Sequence, residues 1–295
     1  MADIDAVIDK PSEAPAAPFT LRQLTPTIGA ELLDIDLGAS GIADAIPAIR
    51  QALLDNGVIF FRDQDITREQ HLAFAQMFGE LEIHPATPKD QENPEILRIA
   101  HGPKSKGQEN HWHSDVTWRE EPSLGSILRA IEVPETGGDT LFSNMHAAFL
   151  GLSDKMREFV TGLTAVHDIA RVFARRLGKT PEELREKYPM VEHPVIRTHP
   201  ETGRPGIYVN TAFTGHIKGL SAEESAALLH HLHAQAANPE YQCRFKWEAR
   251  SIAFWDNRAC QHNAVSDYFP QVRVMERATI KGDRPYYNAD AWSGA

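Results

Sequence analysis

The sequence predicts an α+β fold in which many short strands build a sandwich or barrel core and helices are set between them. Three observations predict it. Short apolar runs such as ILRIAH, SLGSILRAIEVP and SIAFWD are separated by Gly/Pro-rich breaks such as PETGGD. Longer segments with helical spacing open on capping signals. No internal repeat or long linker divides the chain, so residues 18–295 are expected to form one domain.

In chain order, residues 1–17 read as a disordered tail, acidic and Pro/Ala-rich with few large apolar groups. FTLRQL opens the folded part. Residues 43–55 fit an amphipathic helix ended by Gly57, followed by the strand GVIFFRD and a helix whose Thr67 and Gln70 match a capping box. ILRIAH, WHSDVTW, SLGSILRAIEVP and DTLFSNM then read as strands. A more helical, basic stretch covers about 146–188. HPVIRTHPETGRPGIYVN suggests a hairpin around Glu201–Arg204, and residues 221–237 a helix with Ser221 and Glu224 as a second capping box. YQCRFKW, SIAFWD and RVMERATIKG close the chain as strands.

A net charge of −11 argues against a broad nucleic-acid surface or an anionic-membrane surface, but not against a small anionic ligand held by local arginines. Two cysteines, Cys243 and Cys260, make no disulfide framework, and no apolar run approaches membrane-spanning length. With no secretory pattern at the N-terminus, a cytoplasmic location is the expectation.

The polar residues that carry chemistry are split between the middle and the end of the chain. On a strand, i and i+2 share a face, so His113 and Asp115 in WHSDVTW reach one side while Ser114 points away. His262 suits a third ligand from a distant strand. Two histidines and one carboxylate are the ligands of the facial triad that holds non-haem Fe(II) with positions left open. His111 shares the expected face of His113 and competes for its place, and H-x-D alone is equally a polar strand end. The same period puts Arg273, Met275 and Arg277 on one face of the last strand. Paired arginines beside a three-ligand metal suit an anionic cosubstrate or substrate.

With FGELEIHP, WHSDVTW, GGDTLF, HPVIRTHPETGRPGIYVN and WDNRACQH through RVMERATIKGDRP in hand, the chain resembles the taurine dioxygenase branch of the Fe(II)/2-oxoglutarate-dependent dioxygenases over about residues 18–288. The resemblance implies a double-stranded β-helix (jelly-roll) core with helical insertions. It implies iron on His113, Asp115 and His262, with O₂ as co-reactant, and 2-oxoglutarate held at its distal carboxylate by Thr140 and Arg273. Arg277 matches the arginine that holds a substrate sulfonate, with His84 as helper and Phe173 and Phe213 lining the pocket. It further implies a homo-oligomer, dimeric or tetrameric. Thr87 and Glu109 stand where taurine-using members carry Tyr and Asn, so the far end of the pocket differs. The expected substrate is a small organic sulfonate such as taurine, with alkyl sulfates and aryloxyalkanoates as alternatives of the same chemistry. A metal-containing binding protein without activity is the alternative of another class; a structural site would be closed by four ligands, usually with cysteine, which is not the pattern here.

Other polar groups have plainer readings. His230, His231 and His233 fit the polar face of a helix. Arg171, Arg175 and Arg176 fit a solvated helix face or a lid. Asp256, Asn257 and Arg258 fit the turn before His262.

Overall fold

Period-two alternation in the long strands sorts their side chains into two cores, and the site lies in one of them. A computed structural model of the chain describes residues 18–84, 87, 92–107 and 109–292. The tail expected over residues 1–17 falls outside these. The first strands are β1 (Thr20–Gln23), β2 (Ala30–Leu33), β3 (Val58–Phe61), β4 (Ile96–His101), β5 (Gly125–Glu132), β6 (Thr140–Asn144) and β7 (Thr164–His167). They are followed by β8 (Val191–Pro194), β9 (Ile196–Thr198), β10 (Pro205–Ile207), β11 (Thr214–Ile217), β12 (Gln242–Phe245), β13 (Ile252–Asp256), β14 (Cys260–Ala264) and β15 (Arg273–Ile280). The helices are α1 (Ile46–Asn56), α2 (Arg68–Gln76), α3 (Met145–Leu150), α4 (Asp154–Val160), α5 (Ala170–Leu177), α6 (Pro181–Lys187) and α7 (Ala222–Gln235).

A seven-stranded sheet runs β1-β2-β3-β13-β5-β15-β4, with β2 and β3 parallel and the other neighbours antiparallel. A three-stranded sheet, β12-β6-β14, faces it. Along β13, Ile252 and Phe254 pack with α1 and α2 on the outer face, while Ala253 and Trp255 point to the other side. There they meet Phe142 of β6, Cys243 and Phe245 of β12 and Cys260 of β14. Met275 of β15 joins this inner core. Each such side chain contributes roughly 1.5–3 kcal/mol on burial. The two smaller sheets, β11-β7-β8 and β10-β9, pack with α3, α4 and α7 into a third apolar cluster.

Both expected capping boxes form: Thr67 with Gln70 at α2, and Ser221 with Glu224 at α7. Gly57 follows α1 at φ 70°, a conformation open to glycine at little cost. The hairpin expected around residues 201–204 is β9–β10. The expected helical stretch over 146–188 needs correction, because β7 interrupts it. Thr164–His167 pairs with both β8 and β11, and sheet contacts on two sides override the helical neighbourhood. Among the described residues no helix is long and apolar enough to cross a membrane.

Candidate metal and anion site

The run WHSDVTW is not a strand. His113 makes an isolated bridge to His262, and residues 115–118 form a turn in which Val116 takes φ 49°. The segment is instead stitched to β14 and the turn before it. His113 and His262 exchange both backbone hydrogen bonds, N to O at 3.1 Å and 2.8 Å. Ser114 Oγ donates to the Cys260 carbonyl at 2.9 Å. The Asp115 backbone N donates to Asn257 Oδ1 at 3.1 Å. Three consecutive residues are thus tied down, and the convergence of His113 and Asp115 comes from this stitching and not from strand pleating.

His113, Asp115 and His262 place one ligand atom each within 4.8 Å of one another, all three residues buried. His113 Nδ1 lies 2.9 Å from the His111 carbonyl, which can only accept, so Nδ1 carries the proton and Nε2 keeps its lone pair. Burial pushes both imidazoles below their ordinary pKa, His262 strongly, so both are neutral donors near pH 7. Burial would raise the Asp115 carboxyl. Arg277, His262, His113 and the Ser126 hydroxyl outweigh it and hold Asp115 well below the usual carboxylate range. Two neutral imidazoles and one ionised carboxylate are the donor set that suits a divalent iron ion. Trp255 packs 4.8 Å from the His262 ring and excludes water on that side.

The anion groups gather at the same cavity, lined by Thr140, Glu109, His113, His262, Arg273 and Arg277 together with apolar Ile99, Leu128, Trp255 and Ala264. Arg273 is buried, and its Nε and Nη2 have no hydrogen-bond partner among the described residues. The rings of Trp247 and Tyr268 lie 5.8 Å and 6.0 Å from its guanidinium carbon. Trp247 Nε1 donates to Thr140 Oγ1 at 2.9 Å, which orients that hydroxyl. The Gly137-Gly138 pair before Thr140 adopts φ 81° and 71°, and a Cβ on Gly138 would sit 3.2 Å from Arg273 Cδ. A buried guanidinium without a carboxylate partner is costly unless an anion arrives. Arg277 Nη1 donates to Asp115 Oδ1 at 2.8 Å, while its buried Nε has no partner among the described residues.

An aromatic wall continues from the metal residues. Phe213 lies edge-on to His113 at 6.4 Å and stacks at 7° on Phe173 of α5, whose ring is 6.0 Å from His84. Burial and the positive charge of Arg277 push the His84 imidazole down to about 4. Thr87 is buried and its N donates to the His84 carbonyl at 2.9 Å; its hydroxyl has no partner among the described residues. Glu109 is engaged by Arg176 of α5 at 3.1 Å and by His101 at 3.3 Å. A larger open groove, lined by Trp118, Lys187, Tyr188 and Met190 among others, contains none of the triad or the two arginines.

His111 contributes its carbonyl to His113, and its ring lies 4.9 Å from the His113 ring; it is outside the converging triad. His230 and His231 are exposed on α7, and His233 is half-buried. Sequence reasoning missed Ser126, Trp247, Tyr268 and the Arg176–Glu109 pair. Asn257, read as a turn residue, holds Asp115 as well. Period two along β5 places Ser126 and Leu128 on one face, and that was the available signal for Ser126. Contacts between residues as distant as Glu109 and Arg176 leave no local signal.

A family model described as "Taurine catabolism dioxygenase TauD, TfdA family" matches residues 20–279. The chain is 35% identical to an alpha-ketoglutarate-dependent sulfate ester dioxygenase of Pseudomonas putida, over 88% of each protein. It is 34% identical to an alkylsulfatase of Acinetobacter baylyi, over 91% of this chain and 87% of that protein. Among solved structures, a taurine dioxygenase from Burkholderia xenovorans superposes with a TM-score of 0.80 at 38% identity, covering 93% of this chain and 92% of that one.

Proposed function

The chain belongs to the taurine catabolism dioxygenase TauD, TfdA family, and from that premise we propose that it hydroxylates the carbon carrying the anionic sulfur group of a small aliphatic sulfate ester or sulfonate. It is an Fe(II)- and 2-oxoglutarate-dependent dioxygenase that uses O₂. The facing sheets support a double-stranded β-helix as the core. His113, Asp115 and His262 would hold the iron, which supplies activation of O₂ together with the keto acid.

The observation that carries the reading is buried Arg273 on the same cavity as the triad, with no carboxylate partner and with Nε and Nη2 unbonded among the described residues. Arg273 and the Thr140 hydroxyl bind the distal carboxylate of 2-oxoglutarate and orient it. Nε of Arg277, unbonded among the described residues and with His84 beside it, holds the sulfur anion. The Phe213–Phe173 wall and Trp255 exclude water. In the net reaction one oxygen atom enters succinate as CO₂ leaves, and the other becomes a hydroxyl on the substrate carbon. That hydroxyl loses its proton, a carbonyl forms, and sulfate or sulfite departs with the bonding pair of the C–O or C–S bond.

Glu109 favours a substrate without an ammonium group, because Arg176 already pairs with its carboxylate. Sulfate esters therefore lead, an order that rests on Glu109, since the chain matches sulfate-ester and sulfonate dioxygenases alike. Taurine is the second reading, favoured by the place of Glu109 on the cavity, where an ammonium can compete with Arg176. The test is iron-loaded protein with 2-oxoglutarate, O₂ and a panel of alkyl sulfates, alkylsulfonates, taurine and aryloxyacetates. Succinate matched by sulfate from an alkyl sulfate is the expected outcome. Succinate matched by sulfite from taurine alone would replace the leading substrate, and turnover of aryloxyacetates alone would remove sulfur anions from the proposal.

A further inference from the structure

We propose that Ser126 and Asn257 are positioning residues that fix which oxygen of Asp115 is offered to the metal, an inference that rests on the metal reading above. The two oxygens of this carboxylate have different surroundings. Oδ2 accepts a hydrogen bond from Ser126 Oγ at 2.8 Å. Oδ1 accepts from Arg277 Nη1 at 2.8 Å and lies 3.9 Å from His113 Nε2.

The direction of the Ser126 proton is itself determined. Asn257 Oδ1 accepts from the Asp115 backbone N at 3.1 Å and from Trp255 Nε1 at 3.0 Å. Both of those groups only donate, so the amide orientation is fixed and Nδ2 faces the serines. Nδ2 donates to Ser123 Oγ at 3.0 Å and to Ser126 Oγ at 3.4 Å. With a lone pair of Ser126 Oγ occupied in this way, its single proton goes to Asp115 Oδ2. Ser126 is fully buried and Asn257 is 2% exposed, so water does not compete for these bonds.

Two consequences follow from the geometry. Ser126 on Oδ2 and Arg277 on Oδ1 together fix the plane of the carboxylate with Oδ1 on the His113 side. A carboxylate oxygen that accepts one hydrogen bond keeps a second lone pair for a cation, and binding through that one oxygen keeps positions free for a keto acid and O₂. Asn257 also lies in the turn between β13 and β14, the strand that carries His262. A single amide therefore references the carboxylate ligand to the backbone of a histidine ligand, a role that its place in a turn does not by itself require.

The test uses Co(II), an air-stable probe ion, titrated into the full chain against a chromophoric chelator, with the melting temperature of each metal-free variant recorded beside it. Asp115→Ala is expected to lose Co(II) binding. Ser126→Ala is expected to weaken it roughly 10–100-fold, the usual cost of removing a hydrogen-bond partner of a metal ligand. Ser126→Cys, which keeps a weaker donor in nearly the same volume, is expected between Ser126→Ala and wild type. Loss in Asp115→Ala with wild-type affinity in Ser126→Ala would overturn this inference alone. So would a Ser126→Cys variant no better than Ser126→Ala, because packing and not the donor would then matter. Undiminished binding in Asp115→Ala would sink the metal reading and this inference with it.

Discussion

The two ends of the cavity are built on opposite terms. At the metal end the protein satisfies its own groups. His113 Nδ1 meets the His111 carbonyl, Asp115 takes Ser126 on one oxygen and Arg277 on the other, and the backbones of His113 and His262 bond to each other. His262 Nδ1 is the exception. At the anion end, Arg273 Nε and Nη2, Arg277 Nε and the Thr87 hydroxyl are buried without partners among the described residues. Groups completed by the protein stay in place before any ligand arrives. Groups left incomplete gain most when a ligand supplies the missing charge, since an unpaired buried cation carries a standing penalty. The His113, Asp115 and His262 cluster is a frame, and Arg273, with no carboxylate partner, is a demand for an anion.

That contrast can be broken at either end. The largest effect is expected from His262→Ala, which removes a proposed metal ligand and should cut succinate formation on the order of 10³-fold or more, the scale seen for residues that act as a unit. Activity near wild type at saturating iron would mean that the triad is not the metal site. Arg277→Ala should raise the KM for the sulfur anion roughly 10–100-fold through loss of a charged hydrogen bond, with the KM for 2-oxoglutarate nearly unchanged. An equal rise in both constants would mean that the two arginines do not divide the anions between them.

A third prediction separates the scaffold from the site. His71 on α2 is fully buried, its Nε2 is bonded to the Ile127 carbonyl, and burial pushes its imidazole down to about 4. The unfolded chain takes up a proton near pH 6.5 that the folded chain refuses until about 4. This contribution to stability is present in full above about 6.5 and is lost as the pH falls, on the order of 2 kcal/mol by pH 5. Urea midpoints should therefore decline over that window, and His71→Gln should flatten the decline without altering either KM. An unchanged slope in that variant would assign the acid sensitivity to other groups. The smallest effect belongs to Arg176→Gln. Freeing Glu109 from this partly exposed pair should raise the preference for taurine over an uncharged-tail alkylsulfonate by about twofold to fivefold. A preference that does not move would detach Glu109 from substrate choice.

Much of this arrangement was legible in the sequence wherever one local rule decided the outcome. The Thr67 and Ser221 caps fixed the starts of α2 and α7, and period two along β15 put Arg273 and Arg277 on one face. Strand periodicity predicts the convergence of His113 and Asp115, but the structure has no strand there. Val116 at φ 49° ends any extended run, and bonds to Cys260 and Asn257 do the converging. β7 was hidden because its four residues sit among helices and owe their form to β8 and β11. The Glu109–Arg176 and Asn257–Ser126 contacts join segments far apart in the chain, and such partners are set by the assembled fold.

The most direct test of the unequal ends is the anaerobic binding of 2-oxoglutarate to Co(II)-loaded wild type and Arg273→Ala, with Co(II) affinity measured in the same samples. Weakening of 2-oxoglutarate by roughly 10–100-fold with unchanged Co(II) affinity is the expected result. Wild-type affinity for 2-oxoglutarate in Arg273→Ala, or a parallel loss of Co(II), would contradict the division of the cavity into a finished metal frame and an unfinished anion site.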